Sequence, residues 1–132
     1  MTIRIVGFVY GLLSYAFAMA TVVYAMGFLG GFAPKTVDTG VPAPALSLAA
    51  LVDIALLGVF ALQHSIMARR SFKAWSARLV PAPVERSTYV LFSALALALL
   101  YWQWQPLEGV AWDLRGQPAW SLLLTGVYWL GW

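Results

Sequence analysis

ALSLAALVDIALLGVFALQHSIMARRSFKAW, residues 45–75, is the stretch on which the fold turns. Its first 23 residues, 45–67, carry one charge, Asp53. As a helix they would rise about 35 Å, at about 1.5 Å per residue. That exceeds the roughly 30 Å hydrocarbon core of a bilayer. The run closes on Gln63, His64 and Ser65, and Arg69, Arg70 and Lys73 follow at once. The pattern is that of a helix leaving a membrane on a basic side. His64 is the only histidine in the chain, so its position there raises a second question, whether it is a boundary residue or a reactive one.

The rest of the composition agrees with a membrane solvent. Hydrophobic residues make up 62% of the chain and charged residues 10%, too few polar groups to cover a water-facing surface. Mean hydropathy is +0.80, well on the apolar side. A net charge of +3, scattered along the chain, is too weak for a nucleic-acid partner. The absence of cysteine excludes thiolate metal sites, thiol nucleophiles and disulfides. No metal-ligand spacing, Gly-rich phosphate loop or catalytic carboxylate pair is present.

Working outward, the spacing predicts an all-α, polytopic helix bundle. Three complete transmembrane helices are expected at about residues 5–32, 45–67 and 87–105, with a truncated fourth at 119–132. The first could pass for a secretory signal, because Ala16, Ala18 and Ala20 resemble a cleavage site. Its apolar run continues to Phe32, however, well beyond the ~7–15 residues of a signal core. An uncleaved span is expected instead. The last run, AWSLLLTGVYWLGW, has 14 residues, short of the ~20 needed to cross. The whole chain reads as a single transmembrane domain.

Orientation follows from the basic residues. The segment 68–86 holds Arg69, Arg70, Lys73, Arg78 and Arg86, whereas the other two loops hold one basic residue each. Basic loops stay in the cytoplasm. The N-terminus, with Arg4, is then cytoplasmic too, in what is expected to be a bacterial inner membrane. Phe72, Trp75 and Leu79 share a helical face within this loop, which suggests a short helix lying in the interface against anionic lipid. Pro81 and Pro83 are expected to end it. Trp102, Trp104, Trp112 and Trp120 read as interfacial anchors. Gly7 and Gly11, and Gly27 and Gly31, have the spacing that lets helices approach closely.

Two polar residues on the second span are candidates for more than helix punctuation. Imidazole titrates near neutral pH, so His64 suits proton transfer as well as a water boundary. Asp53 lies at depth, where a carboxylate costs ~2.5–3.5 kcal/mol on insertion scales, so it must find a partner or a polar wall. Asp53, Leu57, Phe60 and His64 fall on one stripe. A single interhelical hydrogen bond would also explain Asp53. Glu85 and Arg86 suit a helix start, Glu85 by its charge near the N-terminus.

Three segments resemble a known family. They are L57-G-V-F-A-L-Q-H-S-I-M-A-R69, the run VPAPVERSTYVLFSALALALLYWQWQPL at 80–107, and YGLLSYAFAMATVVYAMGFLGGFAPKTVD at 10–38. Together they look like the bacterial methanethiol S-methyltransferases, which resemble NnrU-like membrane proteins and, more distantly, isoprenylcysteine carboxyl methyltransferases. The resemblance covers essentially the whole chain. It implies S-adenosylmethionine-dependent methylation of a small thiol, with S-adenosyl-L-methionine as co-substrate. It also implies a longer pattern, whose cofactor site lies mainly in a later half, around an Arg-His-Pro-x-Tyr-type motif that these residues lack. On this reading His64 is the candidate catalytic base. Arg69 and Arg86 are candidates for the cofactor carboxylate, and Asp53 and Gln63 for substrate contact. A non-catalytic NnrU-like module and a proton or solute transporter fragment are the competing expectations.

Overall fold

The computed structural model describes residues 2–41, 43–107, 109, 114 and 116–132. The expected anchor Trp112 and the loop charges Glu108, Asp113 and Arg115 lie outside the described residues. Five helices account for most of the chain: α1 (Thr2–Gly30), α2 (Leu46–Ala68), α3 (Arg70–Ser76), α4 (Ala82–Gln103) and α5 (Pro118–Gly131). Among the described residues three helices, α1, α2 and α4, are long and apolar enough to cross a membrane. The 14-residue α5 is shorter than a crossing requires.

Local chemistry sets the ends. α1 stops where Gly31 takes a positive φ of 79°, a conformation that needs no Cβ. The amides of Phe32 and Ala33 then both fold back onto the Gly27 carbonyl at 3.0 Å. A Cβ on Gly27 would lie 2.9 Å from that of Ala33, so this glycine makes the turn possible and is not a helix-packing residue. α2 breaks at Arg69, whose extended backbone (φ −71°, ψ 144°) ends one helix and starts the next.

The third long helix begins at Ala82, five residues before the expected Ser87. Pro81 is its N-cap and Pro83 lies in its first turn, where a missing N–H costs nothing because those amides have no helical partner. The prolines open this helix as well as separating it from α3. α3 is correspondingly shorter than expected, so Leu79 falls outside it and stands exposed.

α4 packs between α1 and α2. Its seam with α1 is built from small residues. A Cβ on Gly7 would meet Val84 at 3.5 Å, and one on Gly11 would meet the Ser87 hydroxyl at 3.2 Å. Ser14 and Thr21 continue the stripe, buried, and donate to the Tyr10 and Ala18 carbonyls within their own helix at 2.8 Å. Such residues allow the close approach on which helix association in lipid depends. Gly7 faces Val84 and Tyr101 reaches Thr21, so α1 and α4 run parallel. Asp53 meets Gln105 while His64 meets Ser93, so α2 runs antiparallel to α4. Hence the start of α1, the end of α2, α3 and the start of α4 share one end of the bundle.

The opposite end is closed by aromatic packing. Phe28, Leu100 and Tyr101 form a buried cluster joined by Tyr24, Leu56 and Trp104. The Trp104 indole N–H donates to the Val37 carbonyl at 3.0 Å, and its ring meets Phe28 edge-on at 5.8 Å. Trp104 is therefore half-buried and pins the 33–41 loop, unlike Trp102 and Trp120, which are exposed as anchors would be. α5 touches the end of α1, where Tyr128 donates to the Met26 carbonyl and Trp129 stacks on Phe32.

Candidate functional site

At the basic end, α2 and α4 bring together side chains from two segments that are far apart in sequence. The Tyr89 hydroxyl lies 3.0 Å from His64 Nδ1 and 2.9 Å from Nε2. The Ser93 hydroxyl, one turn along α4, lies 3.2 Å from His64 Nδ1. Phe60 packs against the imidazole at 5.5 Å between ring centres. Gln63 donates from Nε2 to the Met67 sulfur at 3.1 Å and, at a longer 3.5 Å, to Ser93. Its Oε1 is buried without a hydrogen-bond partner among the described residues. His64 itself stays exposed.

A cavity of about 610 Å³ opens beside this group, between α3 and the first half of α4. Its wall includes Tyr89, Phe72, Lys73, Trp75, Glu85 and Arg86. Ser76 is buried there, with its hydroxyl turned back onto the Lys73 carbonyl at 3.1 Å. Glu85 falls in the first turn of α4, where its charge complements the helix dipole. Two cations, a carboxylate and aromatic faces thus share one concave surface at the end of the bundle.

The residues singled out in the sequence separate into two groups. His64, Gln63 and Arg86 come to this end of the molecule, Arg86 on the cavity wall. Arg69 sits at the α2–α3 break, exposed, and does not line the cavity. Asp53 is 4% exposed at the far end of α2, where Oδ1 accepts the backbone N–H of Gln105 at 2.9 Å. Oδ2 is buried without a partner among the described residues. Leu57 is 48% exposed, and the inward stripe runs instead through Asp53, Leu56, Phe60, Gln63 and Met67, with His64 at its edge. Tyr89 and Ser93 were not singled out. Their signal is a one-turn spacing of hydroxyls within an apolar span, which marks a polar face only once α2 is known to lie against it.

A bundle of apolar helices with small-residue seams, carrying a polar and basic-rimmed cavity at one end, defines an integral membrane protein with a candidate reactive site at the membrane edge. Comparison with known proteins narrows this. The chain is 48% identical over 130 residues to methanethiol S-methyltransferase of Mycobacterium tuberculosis, covering 98% of this chain and 52% of that protein. It is 46% identical over 130 residues to methanethiol S-methyltransferase of Pseudomonas deceptionensis, covering 98% and 49%. Over a shorter stretch of 79 residues it is 43% identical to nurim of Mus musculus, covering 57% of this chain and 30% of that protein. The chain is a homologue of the bacterial methanethiol S-methyltransferases along nearly its whole length, and it spans about half the length of those relatives. No protein-family model matches it, and no solved structure does so significantly.

Proposed function

We propose that this chain is the N-terminal part of an integral membrane S-methyltransferase that converts a small thiol, methanethiol, to its methyl thioether, dimethyl sulfide, at the expense of S-adenosylmethionine. The observation that carries the reading is the 42–48% identity to methanethiol S-methyltransferases over nearly the whole chain. The geometry adds a place for the chemistry, since the His64 group and the cavity lie together at the basic end. Thiol and thioether are small and apolar, so a site at the membrane edge suits their entry and exit.

The cavity wall fits the charged end of the co-substrate. Arg86 and Lys73 suit its carboxylate, Glu85 its ammonium group, and Phe72 or Trp75 a planar base. When bound, S-adenosylmethionine supplies an electrophilic methyl group on sulfur. This chain's residues have the remaining tasks. They hold the thiol, exclude water and remove the thiol proton, because the thiolate is the nucleophile. His64 is the proton acceptor in this reading, and Gln63 stands beside it, off the cavity wall, bonded to Met67 and at longer range to Ser93. Asp53 serves the fold at the other end. A proton relay through Asp53 and His64 is disfavoured, because Asp53 is bonded to the Gln105 amide beyond the end of α4 while His64 meets Ser93 in the middle of that helix.

In the same reading α5 is the first part of a fourth crossing, and the basic end with the N-terminus faces the cytoplasm of a bacterial inner membrane. The lipid bilayer is the partner of the exposed apolar faces. The test is direct: membranes holding the full-length protein should form dimethyl sulfide from methanethiol and S-adenosylmethionine. Correctly inserted protein that forms none would overturn the proposal.

A further inference from the structure

We infer that the Tyr89 phenol, and not the His64 imidazole, is the group that meets the substrate thiol, with His64 standing behind it as acceptor of the phenol proton. The inference rests on the thiol-methylation reading above. Its ground is a difference in placement: Tyr89 lines the cavity and His64 does not. Tyr89 touches both the cavity and the imidazole: its phenol oxygen lies within 3.0 Å of both ring nitrogens, over the ring face, and a turn of the ring aims Nε2 at the hydroxyl.

The relay uses one of the two neutral tautomers. A neutral imidazole has one N–H and one acceptor nitrogen. With the N–H on Nδ1, it donates to Ser93 at 3.2 Å. Nε2 is then the acceptor, 2.9 Å from the Tyr89 hydroxyl. As the thiol S–H bond breaks, its proton passes to the Tyr89 oxygen while the phenol's own proton moves to Nε2. The products are a thiolate, a neutral phenol and an imidazolium whose Nδ1–H remains on Ser93. The electron pair left on sulfur is the one that attacks the methyl group. The exposed face of His64, one turn from the end of α2, returns the proton to the aqueous boundary. No oxidant or further reactant is needed. Lys73 on α3 and Arg86 on α4 share the cavity wall with Tyr89 and favour the thiolate, whereas Glu85 opposes it.

Tyr89→Phe in the full-length protein tests this, because it removes the hydroxyl and keeps the ring that packs on His64 at 5.2 Å. The expected result is a kcat loss of ~10²–10⁴-fold near neutral pH, the usual range for acid–base assistance. KM for S-adenosylmethionine should be unchanged. The deficit should narrow as pH rises toward the thiol's own pKa, and be smaller for a more acidic aromatic thiol. The double variant His64→Ala/Tyr89→Phe should fall no further than Tyr89→Phe alone, because the two groups act in series. A parental rate in Tyr89→Phe, with His64→Ala impaired, would overturn the inference by putting the imidazole itself on the thiol. A deficit equal at every pH and for both thiols would reduce Tyr89 to a packing residue. Should the parent form no thioether, the methylation reading fails by itself. The contact is then read from the ring nitrogen resonances of His64 in detergent, identified by their loss in His64→Ala. These should move in Tyr89→Phe, and an unmoved spectrum would overturn the relay.

Discussion

Asp53 and His64 both reach from α2 toward α4, eleven residues apart, and meet opposite surroundings. At about 1.5 Å per residue they lie roughly 16 Å from one another along the helix. Asp53 is buried against the exit of α4, where it holds the Gln105 amide beneath the aromatic cluster and the 33–41 loop. His64 is exposed, shared between two hydroxyls, and sits next to a cavity rimmed by cations. A polar group in an apolar helix is costly wherever it stands. What differs is how its bonding capacity is used. Where it holds a backbone group inside a packed end, it serves the fold. Where it faces side-chain hydroxyls and solvent, it is available for chemistry.

The largest expected effect is categorical and concerns which end is which. The chain has no cysteine, so single cysteines can be placed at Ala74 and Thr39 without background. An impermeant thiol reagent should label Thr39→Cys from outside the cell and Ala74→Cys only after the membrane is opened. Labelling of both from outside would break the assignment of the basic end to the cytoplasm.

Next come changes to stability. Gly11→Leu forces a side chain into the seam where even a Cβ lies 3.2 Å from Ser87, and should cost about 1–3 kcal/mol by overpacking. Asp53→Ala strands the Gln105 amide and should cost about 1–3 kcal/mol, while Asp53→Asn keeps an acceptor and should cost less. Trp104→Phe retains the aromatic packing but loses the bond to Val37, a smaller loss of about 0.5–1.5 kcal/mol. Denaturation in detergent would rank these variants. An Asp53→Ala protein as stable as its parent would contradict the structural role of that end. At the bottom of the scale, Arg70→Ala should change neither stability nor activity. The 132-residue chain alone should show no measurable heat of S-adenosylmethionine binding. Micromolar binding would mean that the contacts of this cavity suffice to hold the co-substrate without the rest of the longer protein.

The long helices were legible because hydrophobicity over some 20 residues decides membrane insertion with little help from tertiary contacts. The start of α4 was not, because Pro81 and Pro83 read as breakers until their places at the N-cap and first turn are known. Trp104 looked like its neighbour Trp102 for a similar reason, since only the folded 33–41 loop presents the Val37 carbonyl to its indole. His64, Gln63 and Arg86 stood out as polar residues at the edge of apolar runs. Tyr89 and Ser93 became visible only through the register of α2 against α4, a relation between distant segments that no local spacing encodes.

The most direct test sets the two ends of α2 against each other in one assay, with full-length parent, His64→Ala and Asp53→Asn each measured for dimethyl sulfide formation and for thermal stability. His64→Ala should lose ~10²–10⁴-fold in rate near neutral pH and recover as the thiol ionises unaided, with melting unchanged. Asp53→Asn should keep the parental rate. If His64→Ala matches the parent from about pH 6 to about pH 9, on either side of the ordinary imidazole pKa, then the basic end holds only a helix terminus and the account is wrong.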